Sequence, residues 1–192
     1  MKKKNISTVD SEQDSCIPKT IEANADFLNL ISDIIFRIDT EGMFTYLNKA
    51  VKELGYEPET LIGKHFNYII HPDDIDKISR SDVLVRYINI KTGDNNAPKL
   101  FDERRTRTRV TKDLVFRLKP KNHQGKTSKE LELLNPVYGE VMSSGEYVPD
   151  VSSTKKKFIG SVGIIRNVTA RIKEMEQKDR LTNQIYQSQK KY

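Results

Sequence analysis

A chain of 192 residues is the length of one domain with extensions. Only 36% of it is hydrophobic, so any core must be concentrated, and the large apolar residues gather between Phe27 and Val168. The formal charge of +6 is uneven: residues 155–192 hold ten Lys or Arg against three Asp or Glu, which leaves the remainder slightly acidic and excludes a basic, nucleic-acid-binding core.

Residues 1–19 are polar and aperiodic and read as a disordered N-terminal segment. No apolar run follows the basic start, so a secretory signal is not expected. Cys16 is the single cysteine, so no internal disulfide can form, and a reduced, cytoplasmic setting is expected. No stretch approaches the ~20 apolar residues of a membrane span. Ile21, Ala25, Leu28 and Ile31 recur at helical spacing and predict a flanking helix over residues 20–32.

Ile34 to Ile38 is β-branched and aromatic, Asp39-Thr40-Glu41-Gly42 is turn chemistry, and Met43 to Leu47 is a second strand, so a hairpin is expected. Asn48 stands at the N-cap position of a short helix over Lys49 to Leu54, which Gly55 ends. A helical turn over Thr60 to Ile62 precedes Gly63, and Phe66 to Ile70 is a short apolar piece. His71-Pro72-Asp73-Asp74 starts the next helix, with Pro preset for the first position and carboxylates at the positive end of the dipole. That helix is expected to run to about Tyr87. Asn89 to Lys99 is a polar loop. Strands are expected over Thr108 to Leu118, Pro136 to Met142 and Phe158 to Ile165. Polar excursions separate them at Lys119 to Lys129, and then at Ser143-Ser144-Gly145 and Pro149 to Lys156. From Thr169 the chain reads as helical to Tyr192. Hairpin-linked strands with helices crossing one face make an α+β domain.

Taken in order, DIIFRIDTEGMFTYLNKAVKELGY, PETLIGKHF, HPDD, FDERRTRTRVTKDLVFRL and KFIGSVGIIRNVTARIKEMEQ resemble a PAS domain, over roughly residues 24–170. The resemblance implies a PAS fold: an antiparallel sheet of about five strands with short helices on one face, flanked by N-terminal and C-terminal helices. It implies a sensory domain over residues 33–169 and a signalling helix over residues 170–192. That helix reads as cut short, so the chain looks like a piece of a longer bacterial signalling protein. The implied function is sensory: a small molecule or partner is perceived, and the signal passes through the C-terminal helix to a histidine kinase or diguanylate cyclase output. A ligand-free PAS domain used for dimerisation is the alternative, and a stand-alone small-molecule-binding enzyme is a third reading. A homodimer through the flanking helices is implied, with no nucleic-acid partner.

PAS ligands lie between the inner sheet face and the short helices. By pattern, Phe36, Tyr46, Leu54, Phe66, Ile70, Val83, Arg117, Tyr138 and Ile164 are the expected lining, most of them ordinary core. Arg117 stands between Phe116 and Leu118, and turned inward it needs an anion. The carboxylate of a small organic acid is expected there. The family often ends its last strand with Asp-Ile-Thr or Asp-Val-Thr followed by Glu-Arg. This chain has Asn167-Val168-Thr169-Ala170-Arg171, which lacks both acids. Signal transmission is therefore expected to rest on hydrogen bonding at Asn167, on Thr169 as the helix N-cap, and on Arg171.

Catalytic and cofactor chemistry finds little footing. Gly125-Lys126-Thr127-Ser128 resembles the end of a phosphate-binding loop, but the position that should be its first Gly is Pro120. His65, His71 and His123 are not spaced with Cys or carboxylates as metal ligands, so no metal is expected. A haem-binding PAS domain commonly takes an axial His on its long helix, and Lys77 to Tyr87 holds none. A flavin-photosensing PAS domain needs a reactive Cys in its helical region, and Cys16 precedes the fold. Haem and flavin are not expected, and the cofactor is left open. No nucleophile elbow is present, and Asp73, Asp74 and Asp76 cluster at a helix start, so no enzyme is expected. The run Glu103 to Arg109 reads as the exposed face of a loop entering a strand, with Thr/Arg alternation of period two, in preference to an anion site. In the last helix the Leu181–Ile185 step suits a heptad and the Met175–Leu181 step breaks it, which makes a short coiled-coil seam.

Overall fold

Asp39 shows how the first hairpin is made. Its carboxylate accepts the N–H groups of Glu41 and Met43, and Gly42 takes φ 84°, which a side chain would resist. The turn joins β1 (Ile34–Ile38) to β2 (Phe44–Leu47) in antiparallel register. The computed structural model describes residues 26–93, 96–150 and 155–190. The remaining strands are β3 (Thr111–Leu118), β4 (Val137–Pro149) and β5 (Lys156–Asn167). All neighbours pair antiparallel in the order β2-β1-β5-β4-β3, so the first and last parts of the domain meet at the β1–β5 seam.

Short helices cover one face. A 3-10 helix spans Lys49–Leu54 and ends at Gly55 with φ 80°. Next come α1 (Pro58–Leu61), a 3-10 turn at Phe66–Ile69, α2 (Pro72–Ile78), α3 (Arg80–Val83) and a 3-10 turn at Leu84–Tyr87. His71 caps α2 by accepting the Asp73 N–H on Nδ1. Later, α4 (Ser128–Glu132) begins with a capping box between Thr127 and Glu130, and α5 (Thr169–Gln189) leaves the sheet. The mixed architecture is the α+β one expected.

Several expectations need correction. Residues 26–29 are helical, but the chain is already a turn at residue 30, so the flanking helix stops short of residue 32. The predicted segment 1–19 and the first part of that helix lie outside the described residues. The single helix expected to reach Tyr87 breaks at Ser79, whose ψ is 134°. An incoming segment takes the groups on either side: Phe101 N–H donates to the Ile78 carbonyl at 2.8 Å, and Arg80 N–H donates to the Asp102 carboxylate at 2.7 Å. The strand expected from Thr108 starts at Thr111, because Arg107–Arg109 is a 3-10 turn with Arg107 at φ 63°. Ser143-Ser144-Gly145 is no excursion. It is the middle of β4, whose pairing with β5 continues to Pro149.

The core lies between the helices and one sheet face. Alternation turns Ile34, Phe36 and Ile38 of β1 inward with Phe116, Leu118, Val141 and Ile165. Leu54, Phe66, Ile69 and Ile70 close over them from the helical side. Gly163 lets this packing happen: it faces Phe36 across the seam, and a Cβ there would lie 2.7 Å from the Phe36 ring.

Candidate functional site

The space expected for a ligand is filled by the chain itself. Residues 100–105 form a strap across the inner sheet face. Leu100 N–H donates to the Thr111 hydroxyl, the Ser143 hydroxyl donates to the Leu100 carbonyl, and the Ser161 hydroxyl donates to the Glu103 carbonyl at 2.6 Å. Gly145 N–H donates to the Arg105 carbonyl at 2.8 Å, and a Cβ on Gly145 would overlap the Arg104 carbonyl. The strap inserts Phe101, which is fully buried. Its ring stacks between Phe36 (4.7 Å between centroids) and Phe66 (4.6 Å) and meets the Phe116 ring edge-on at 5.7 Å.

Glu103 anchors the strap. Its carboxylate is fully buried and accepts hydrogen bonds from the Arg105 guanidinium, the Arg105 N–H and the Thr111 hydroxyl. Burial pushes its pKa up, and these donors outweigh burial and hold it below the ordinary carboxylate value. The densest basic run therefore begins with internal chemistry. Arg105 serves Glu103, and Arg104 lies over the Phe158 ring at 4.7 Å. The expected two-residue alternation along this run does not form, since the chain turns at Arg107–Arg109.

The nine expected lining residues divide by face. Phe36, Leu54, Phe66 and Ile70 belong to the core cluster under or around the Phe101 ring. Val83 is buried on α3, outside that cluster. Ile164 is 39% exposed, because Ile165 takes the inward position and a strand turns its next side chain outward. Tyr46 and Tyr138 are half-buried. Sequence reasoning passed over Phe101, and the signal available was the apolar pair Leu100-Phe101 between two polar stretches.

Arg117 finds its anion inside the chain. Its Nε and Nη2 meet the two Asp74 oxygens at 3.0 and 2.8 Å, and its backbone N–H donates to the same carboxylate at 2.8 Å. Burial would raise the Asp74 pKa, but these bonds and one from Lys77 hold it at about 2. The Arg117 pKa is raised by the same pairing. The expected clamp for a free organic acid is therefore occupied by Asp74, a residue read from the sequence only as helix-dipole chemistry. Burial, then the neighbouring guanidinium, lowers the pKa of His71.

At the sheet exit, Val168 N–H donates to the Tyr138 carbonyl at 3.0 Å. Tyr138 N–H donates to the Thr169 hydroxyl at 2.9 Å, so Thr169 ties the helix to β4 and is not the N-cap. Asn167 Oδ1 takes the Thr169 N–H at 3.1 Å, and Arg171 pairs with Glu140 on β4. Asn167, Thr169 and Arg171 thus form one junction.

A family model for the PAS fold matches residues 28–86, the hairpin and the punctuated helices after it. The chain has the PAS fold. An RNA-binding light-oxygen-voltage receptor aligns with 95% of this chain and 42% of its own, at 12% identity and a TM-score of 0.52. The PAS domain of a protein from Colwellia psychrerythraea aligns with 79% of this chain and 98% of its own, at 20% identity and a TM-score of 0.49. A PAS domain from a two-component sensor histidine kinase aligns with 79% and 98%, at 11% identity and a TM-score of 0.45. No curated protein matches the chain in sequence. PAS domains are in general sensory modules without catalytic chemistry, and no catalytic family is indicated. Among the described residues no helix is long and apolar enough to cross a membrane.

Proposed function

We propose that this PAS domain is a cytoplasmic sensory relay of a signal-transduction protein, which passes its state through α5 to an output domain of the histidine kinase or diguanylate cyclase kind. The junction at the sheet exit carries the reading. The first turn of α5 is tied to β4 through Tyr138, Thr169 and the Arg171–Glu140 pair, while every described residue after Ile172 is exposed. A shift of β4 therefore carries the first turn of the helix with it, together with the Asn167 contact from β5. The Phe101 ring in the ligand space favours a surface event over an enclosed ligand as the input. It also supports the second reading, dimerisation without an enclosed ligand. Leu181 and Ile185 are over half exposed on α5 and suit pairing with a second copy.

The test is a chimera in which this domain and α5 are fused, in helical phase, to a histidine kinase catalytic core. Glu140→Ala with Arg171→Ala is expected to change autophosphorylation several-fold, while Lys112→Ala at an exposed position of β3 leaves it unchanged. Equal activity in the parent and the junction variant would sink the relay. Native mass spectrometry of freshly purified protein is expected to give the mass of the bare chain, and a retained small molecule would return the input to the core.

A further inference from the structure

A cleft of about 150 Å³ opens away from the filled core, at the β3 edge of the sheet. It is bounded by the end of β3, the start of β4, α4 with the turn after it, and His71 ahead of α2. Leu118, Leu131, Leu134 and Pro136 form an apolar wall. The polar groups around it differ from those at the strap, where the Glu103, Arg105, Thr111, Ser143 and Ser161 side chains are all hydrogen-bonded within the protein. His71 Nδ1 accepts the Asp73 N–H at 3.3 Å, which leaves the proton of the neutral ring on Nε2. Arg117 uses Nε and Nη2 on Asp74 and leaves both N–H groups of Nη1 over. Neither the Tyr138 hydroxyl nor the Glu132 carboxylate has a hydrogen bond or ion pair to another described residue.

Charge decides what such a cleft accepts. The one guanidinium is already matched by Asp74 at 2.8 Å, with Asp73 at 3.6 Å, and Glu132 adds a further carboxylate. The balance is negative, so a simple organic anion is repelled. A molecule with two ends fits both halves: an ammonium for Glu132, and a carboxylate for the donors of Arg117, His71 and Tyr138. A volume of about 150 Å³ suits the smallest members of that class.

We infer that this edge cleft binds a small zwitterion, an α-amino acid of about the size of alanine or serine, between Glu132 and the Arg117–His71–Tyr138 donors. Such a ligand supplies an input to the relay proposed above, and its binding is measured with no output domain present, so either can fail without the other. Calorimetric titration of the full chain with alanine and serine is set beside propionate and ethylamine, which carry one charged end each. Saturable binding of an amino acid is expected. Glu132→Gln should weaken it about tenfold or more, the effect of one charged hydrogen bond. Tyr138→Phe should weaken it less. Glu132 is exposed and the Tyr138 hydroxyl is unbonded, so both variants keep the fold, as circular dichroism will check. Three results would each overturn the site: no binding of either amino acid up to about 10 mM, propionate binding as tightly as alanine, or both variants binding like the parent.

Discussion

Asn48 uses its buried amide on four backbone groups at once, the Ile31 carbonyl being the most distant at 3.4 Å. Oδ1 accepts the Ile35 N–H at 2.9 Å, and Nδ2 donates to the Leu28 carbonyl at 2.9 Å and the Asp33 carbonyl at 3.0 Å. The residue thereby pins the incoming chain to the start of β1. Asn48→Ala leaves those groups without partners and is expected to cost about 3 kcal/mol, read from the urea midpoint. Asn48→Asp should not restore stability, since a carboxylate cannot donate to carbonyls. A midpoint within error of the parent for either variant refutes the role. The sequence placed Asn48 correctly as the residue before a helix, but its amide makes no cap bond. Its real partners are up to twenty residues away in the chain, and no local pattern encodes them. Asp74 allows a test by pH. Its folded pKa of about 2 lies below the ordinary 3.8, so its contribution is fully present above pH 4 and is lost as pH falls through 2. The contribution is about 1 to 2 kcal/mol once water around the half-buried guanidinium is allowed for. Acid titration of stability should show this loss in the parent and not in Asp74→Asn, and parallel curves would count against the pairing.

At the scale of elements, legibility followed locality. The hairpin, the glycine stops and the His71–Pro72 start were all readable, because each is decided by a few neighbouring residues. The helix break at Ser79 and the full length of β4 were not, because both depend on the strap. Phe101 N–H and Asp102 take groups from α2 and α3, and Gly145 lets the strap lie against β4. The polar run Ser143-Ser144-Gly145 looked like a turn only while the strap was out of view. Phe101→Ala tests this account. Removing a fully buried ring is expected to cost about 3 to 5 kcal/mol. If the variant folds, it should leave an apolar space between Phe36 and Phe66 that takes up benzene or indole, seen as a rise in melting temperature absent from the parent. A loss below about 1 kcal/mol would show that the ring is not what fills the domain.

For the whole molecule, charge and the free helix act against each other. The chain carries +6, and residues 155–192 carry a larger excess than the whole. Of that excess, α5 with Lys190 and Lys191 carries +3, which pairing with a second copy brings side by side, where like charges repel. The apolar gain is small, since Leu181 and Ile185 make one heptad step and Met175 falls out of phase. A short seam opposed by repulsion makes a dimer whose strength depends on screening. The Debye length falls from about 30 Å at 0.01 M salt to about 8 Å at 0.15 M. Sedimentation equilibrium should therefore show tighter association as salt rises over that range, and Leu181→Glu with Ile185→Glu should leave a monomer at every salt concentration. Association that weakens with salt would mean that the two copies are held by opposite charges, on a surface other than the α5 seam.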